Sequence, residues 1–88
     1  MMRNNWNIEL VFEEDGNHTA CTASLGGQGA PQLKGHGYSR RAPADEPDPQ
    51  IGESIAASRA CSNLSHELLE QAASVIEAHT NMPTHLIG

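Results

Sequence analysis

Residues 51–79 read IGESIAASRACSNLSHELLEQAASVIEAH. It lies within residues 50–82, the longest stretch free of proline, and after Gly52 it holds no glycine. Spaced about 100° apart around a helical axis, Ala57, Cys61, Leu64, Leu68, Leu69, Ala72, Val75 and Ile76 fall on one side. Arg59, Asn63, His66, Glu67, Glu70, Ser74 and Glu77 fall on the other. The pattern predicts an amphipathic helix, and such a helix must bury its apolar stripe on something.

The residues before it supply a sheet. Trp6, Ile8, Leu10 and Phe12 alternate with Asn7, Glu9 and Glu13, with Val11 the exception; this is the period of a half-buried strand. Asp15-Gly16 marks a hairpin turn. Residues 18–25 return, with Thr19, Cys21, Ala23 and Leu25 facing the helix and His18, Ala20, Thr22 and Ser24 facing away. The small Cys21 and Ala23 let the helix approach, and the larger row on the first strand is expected to fill the thicker part of the core. A glycine-rich loop, GGQGAP at 26–31, leads to a third strand at 32–39. Its inward residues are Leu33, Gly35, Gly37 and Ser39, and the two glycines clear space for the crossing helix. The loop has no following Lys-Ser/Thr and opens no helix, so it is not a phosphate loop.

Residues 40–50, RRAPADEPDPQ, are too rich in proline for a regular element. Asp48 and Pro49 suit an N-cap and first helical position, and Glu53 adds a carboxylate near that end. Asn81 and Pro83 suit the stop. The tail 84–87 either adds a short strand or packs as a tail. The fold class is therefore α+β in two layers: a three-stranded antiparallel sheet followed by one long C-terminal helix, forming a single domain over 1–88. A 29-residue helix spans ~43 Å, while strands of about eight residues span ~27 Å. The helix must break, best at 62–65, or overhang the sheet and meet a second chain.

Composition bounds the function. Eighty-eight residues with three aromatics make a thin aliphatic core, which favours a homodimer. The net charge of −6 argues against a general electrostatic grip on nucleic acid. Yet three of the five basic residues, Lys34, Arg40 and Arg41, lie close together, either as a local basic patch or as a solvated loop. Two cysteines make no disulfide framework. No apolar run reaches the ~20 residues of a membrane span, and no signal peptide is visible, so a cytoplasmic protein is expected.

No catalytic constellation stands out. Cys21 and Cys61, one inward on a strand and the other on the helix stripe, fit packing better than redox chemistry. His18, His36, His66, His79 and His85 lack the spacing of a metal site, and no cofactor motif is present. The outer sheet face is either a binding platform or plain solvated sheet; the candidate binding surface is that face and the loop after it: Lys34, His36, Tyr38, Arg40 and Arg41.

From Leu33 onward the chain resembles a family of small actinobacterial proteins of unknown function. The resemblance rests on Leu33-x-Gly35-x-Gly37, Pro43-Ala44-Asp45, residues 49–53 (PQIGE), residues 57–60 (ASRA), residues 62–64 (SNL), Leu68-Leu69, residues 75–78 (VIEA), Thr80, Pro83 and His85-Leu86. The first strand and Asp15-Gly16 fit as well. Cys61 and Asn63 depart from the usual leucine and aspartate. The resemblance implies a fold like that of double-stranded-RNA-binding domains, a dimer and no enzymatic activity. A hypoxia-induced member has been compared in shape with ribosome hibernation factors. It therefore points to a stress-associated interaction protein that binds the ribosome, with double-stranded RNA or a small ligand as the alternatives. Genuine double-stranded-RNA-binding domains grip phosphates with a lysine cluster at a helix start, which this chain lacks.

Overall fold

A computed structural model describes residues 2–41 and 48–87. Three strands and one helix follow in order: β1 (Trp6–Asp15), β2 (His18–Gly27), β3 (Lys34–Arg40) and α1 (Pro49–Thr80). The sheet is antiparallel with order β1-β2-β3. The expected α+β layout, three strands and then one long helix, is what the chain adopts.

Asp15 pairs with His18, so the first hairpin turns on Gly16 and Asn17. Gly16 carries φ +62°, which any side chain would resist and which suits the first central position of a type II′ turn. The second connection turns at Gly27, where the Ala30 N–H donates to the Gly27 carbonyl at 3.3 Å. A Cβ on Gly27 would lie 2.6 Å from the Asn5 carbonyl oxygen, and its φ is +121°.

Helix seating is set by β3. Gly35, Gly37 and Ser39 are buried, while Lys34, His36, Tyr38 and Arg40 alternate outward. A Cβ on Gly37 would collide with the backbone at Ala56 and Ala60; one on Gly35 would collide with Ala60 and Leu64. The helix backbone therefore rests directly on the strand, running antiparallel to it. The core is correspondingly small: Cys21, Ala23, Ala56, Ala60 and Leu64, with Phe12, Leu25, Leu33, Ala57 and Leu68 packed around it.

Two expectations about this core are corrected. The row Trp6, Ile8, Leu10 and Phe12 lies on the helix side, as its pairing with Gly27, Leu25, Ala23 and Cys21 requires. It does not fill the core, however: Trp6, Ile8 and Leu10 are 48%, 49% and 38% exposed, and only Phe12 reaches the cluster. The glycines draw α1 over β3 and β2 and away from β1. The second correction concerns the helix. Its sheet-facing line is Ala56, Ala60 and Leu64, roughly 100° around the axis from the centre of the apolar stripe. Cys61 and Ala72 are exposed, as are Val75 and Ile76. Small residues, not large ones, mark the face that touches the glycines.

The helix does not break at 62–65. It runs 32 residues, ~48 Å at 1.5 Å per residue, in a molecule 53 × 31 × 18 Å. Asn63 is not a break; its Oδ1 accepts the His36 N–H at 2.8 Å. The caps form as expected. The Asp48 side chain accepts the Gln50 N–H at 3.1 Å with Pro49 behind it. Asn81 sits in the left-handed region at φ 57°, with its N–H on the Glu77 carbonyl. The tail adds no strand: Glu77 Oε1 accepts the Thr84 N–H at 2.8 Å, and the chain returns along the Leu69–Ala73 face of the helix. Within the proline-rich connection, Arg40 belongs to β3 and Pro49 and Gln50 to α1; residues 42–47 lie outside the described residues.

Candidate binding face on the open side of the sheet

One helix covers one face, so among the described residues the other face of the sheet is open. Its rows run across the three strands by register: Glu9–Ser24–Lys34, Val11–Thr22–His36, Glu13–Ala20–Tyr38 and Asp15–His18–Arg40. Acidic side chains occupy the β1 end of three rows. Small or hydroxylic residues and His18 hold the middle. Lys34, His36, Tyr38 and Arg40 form a basic and aromatic column along β3. The two columns are two strand spacings apart, ~10 Å, which is about one Debye length at 0.1 M salt. The carboxylates therefore do not neutralise the cations by contact, and the face is dipolar.

The β3 column is held firmly from behind. Arg59 Nη1 donates to the Tyr38 carbonyl at 2.6 Å, and Asn63 takes the His36 N–H. These two helix side chains occupy the outer edge of β3, so no further strand can add there. On the face itself, His36 Nδ1 lies 3.4 Å from Thr22 Oγ1, while Tyr38 is 64% exposed. A solvent-exposed ring on a strand held from behind, in line with Lys34 and Arg40, suits stacking on a base or a guanidinium.

Four of the five sequence-selected residues thus share one face. The fifth, Arg41, lies one residue past β3. Its N–H donates to the Asn17 carbonyl at 2.8 Å, and its own carbonyl accepts from Asn17 Nδ2 at 3.1 Å. With Arg40, Thr19, Ser39, Asp48, Gly52 and Ile55 it lines a cleft of about 600 Å³ between the hairpin turn and the helix start. The buried Ser39 hydroxyl is engaged there with the Gly52 carbonyl at 2.8 Å. Sequence reasoning missed this cleft. The register of Thr19 with Ser39 was its only signal, and the seating of Gly52 against Thr19 needed the fold.

Cys21 is buried and Cys61 exposed, both as free thiols. Burial pushes the Cys21 thiol upward, with the nearby Cys61 sulfur adding to the rise, so Cys21 is a core side chain in thiol form and a poor nucleophile. Among the described residues no three His, Cys, Asp or Glu side chains converge as a metal site. No helix there is long and apolar enough to cross a membrane.

Residues 4–85 match the family described as Rv2632c-like. The uncharacterised protein Rv2632c of Mycobacterium tuberculosis is 41% identical over 76 residues, 86% of this chain and 81% of that one. A second uncharacterised protein, Mb1767 of Mycobacterium bovis, is 32% identical over 82 residues, covering 93% and 86%. The crystal structure of Rv2632c superposes with a TM-score of 0.81 at 36% identity, covering 94% of this chain and 98% of that one. The chain belongs to the Rv2632c-like family.

Proposed function

We propose that the protein is a non-enzymatic binding protein that attaches to an RNA-rich assembly through the open face of β3, in the cytoplasm. The observation that carries this reading is the column Lys34, His36, Tyr38 and Arg40, four side chains on one rigid strand with an exposed aromatic between cations. Cations supply phosphate contacts and the ring supplies a stacking surface, the combination that grips unpaired RNA. The overall charge of −6 does not forbid this, because the carboxylates of the sheet are segregated on β1. In its most specific form the partner is the ribosome of stressed cells. That specificity rests on the resemblance to stress-associated proteins compared with hibernation factors and to the double-stranded-RNA-binding-like fold.

Sedimentation of ribosomes from starved or hypoxic cells tests it. The wild-type chain is expected in the ribosomal fraction, released by moderate salt, and the double variant Lys34→Ala/Arg40→Ala in the supernatant. Wild-type protein that stays in the supernatant, or a double variant that pellets equally, sinks the reading. Duplex RNA in the same assay addresses the double-stranded alternative, for which this helix start offers no lysine cluster. A second reading, small-ligand binding, draws on the 600 Å³ cleft at Thr19, Ser39 and Arg41. A ligand for it would raise the melting temperature of the wild type and not of a variant with Gly52 enlarged.

A further inference from the structure

The helix side of the sheet ends in a row unlike the rest of it. Glu14 pairs with Thr19 and Thr19 with Ser39, one period beyond Phe12, Cys21 and Gly37. Alternation puts Glu14 on this side, where it is the one charged residue of the three strands. The row floors the cleft between the hairpin turn and the helix start, and Arg40 lines its far end. Glu14 on β1 and Arg40 on β3 are two strand spacings apart, ~10 Å. Among the described residues neither charge is in an ion pair. Thr19 is the second anomaly. It is only 8% exposed, and its hydroxyl bonds to no described residue. No buried side-chain oxygen there is sealed off without a partner, so this hydroxyl opens into the cleft that Thr19 lines. Gly52 keeps it open: a Cβ there would stand 3.0 Å from Thr19 Oγ1 and 3.5 Å from Ser39 Oγ. Glycine inside a helix is a cost, and here it uncovers two hydroxyls.

The helix start does not make this cleft an anion hole. Pro49 has no N–H to offer. The Gln50 N–H is held by Asp48 Oδ1 and the Ile51 N–H by the Asp48 carbonyl, both at 3.1 Å. A bare anion would meet the Asp48 carboxylate and no free donor from these residues. What the cleft does present is a carboxylate beside an open hydroxyl at one end and a guanidinium at the other. Ile51 and Ile55 form an apolar wall along the helix. We infer that the cleft binds an aliphatic zwitterion: a free amino acid, or a short peptide carrying the same two charged ends. The ligand ammonium sits between Glu14 and Thr19 Oγ1, which accepts from it. The Ser39 oxygen, whose proton goes to the Gly52 carbonyl at 2.8 Å, has acceptor capacity to spare beside it. The ligand carboxylate meets Arg40, and its aliphatic side chain lies on Ile51 and Ile55. A cleft of about 600 Å³ is of the size that small ligands occupy. This inference rests on the small-ligand reading of the cleft. It is separate from RNA binding on the β3 column, with which it shares Arg40.

Calorimetric titration of the full chain at millimolar ligand tests it with five probes. L-leucine and glycyl-L-leucine carry both charges, isocaproate lacks the ammonium, isopentylamine lacks the carboxylate, and inorganic phosphate is a bare anion. Leucine or glycyl-leucine should bind, and the tighter of the two separates amino acid from peptide. Isocaproate and isopentylamine should each bind at least about tenfold more weakly. Thr19→Val should weaken binding of the better zwitterion about tenfold. It should leave the urea midpoint unchanged or higher, because the hydroxyl it removes bonds nothing in the protein; a hydroxyl with a purely structural role would lower it. Glu14 is exposed, so Glu14→Gln should keep the fold by circular dichroism and weaken binding up to about fivefold. A single-charge probe or phosphate that binds as tightly as the zwitterions, and is lost in Thr19→Val, overturns the ligand class and leaves the cleft a site. Zwitterion binding that Thr19→Val and Glu14→Gln both leave intact overturns its placement in this cleft. A wild-type chain that binds none of the probes overturns the inference and the small-ligand reading with it.

Discussion

The β3 side and the β1 side of this sheet present apolar faces toward the same helix layer and are treated oppositely. On β3, glycine alternates inward, the helix backbone lies in contact, and two helix side chains close the edge. On β1, large apolar residues alternate inward and stay largely exposed, with the edge unclosed. Close helix approach follows the smallest side chains, not the most hydrophobic ones, because backbone-to-backbone contact excludes any Cβ. What is then left apolar and open is the β1 side.

The largest effect expected of a single change is on the β3 side. Gly37→Ala puts a Cβ into the helix backbone at Ala56 and Ala60, which no side-chain rotation relieves. It should cost at least ~3 kcal/mol in urea unfolding. Leu64→Ala, at the one large aliphatic fully buried among the described residues, should cost about 2–5 kcal/mol. The same truncation on the β1 side, Ile8→Ala, should cost under ~1 kcal/mol in dilute protein, since that side chain is half exposed. If Ile8→Ala matched Leu64→Ala at low concentration, the asymmetry would be lost.

Much of this was legible in the chain. Alternation placed the three strands and their faces, Asp15-Gly16 the hairpin, and Asp48, Pro49 and Asn81 the helix ends, because each rests on a local rule. The helix's rotation was not legible. Hydrophobicity counts leucines, and the stripe through Cys61, Leu68 and Ala72 outweighs the line through Ala56, Ala60 and Leu64. Only the two glycines opposite decide that alanine is the contact residue. For the same reason the row Trp6, Ile8 and Leu10 read as core: alternation identifies a face but not how far along the sheet its cover extends. Asn63 read as a break because asparagine competes for backbone bonds. It does form such a bond, with His36 across the edge instead of within its own helix. The candidate face was legible at Lys34, His36, Tyr38 and Arg40, which one strand period sets in line. The acidic column opposite it required the register.

Smaller effects sharpen the contrast further. Asn63→Ala should open the β3 edge at about 1 kcal/mol and expose the His36 amide to exchange. The Cys21 thiol gives a pH signature. Its folded value is raised, so the native state holds the proton more tightly than the unfolded chain. That contribution is constant at neutral pH and is lost as pH climbs above the ordinary cysteine value of ~8.5. A stability profile falling through that range should flatten in Cys21→Ala once its lower baseline is subtracted; an unchanged profile would place the loss elsewhere.

Amide hydrogen exchange of the wild-type chain compares the two edges in one experiment. In dilute protein the Leu10 N–H, at the β1 edge that no described strand pairs, should exchange quickly, while that of His36, held by Asn63, should be protected. A Leu10 amide protected as strongly as that of His36 would contradict the contrast between an open β1 edge and a closed β3 edge.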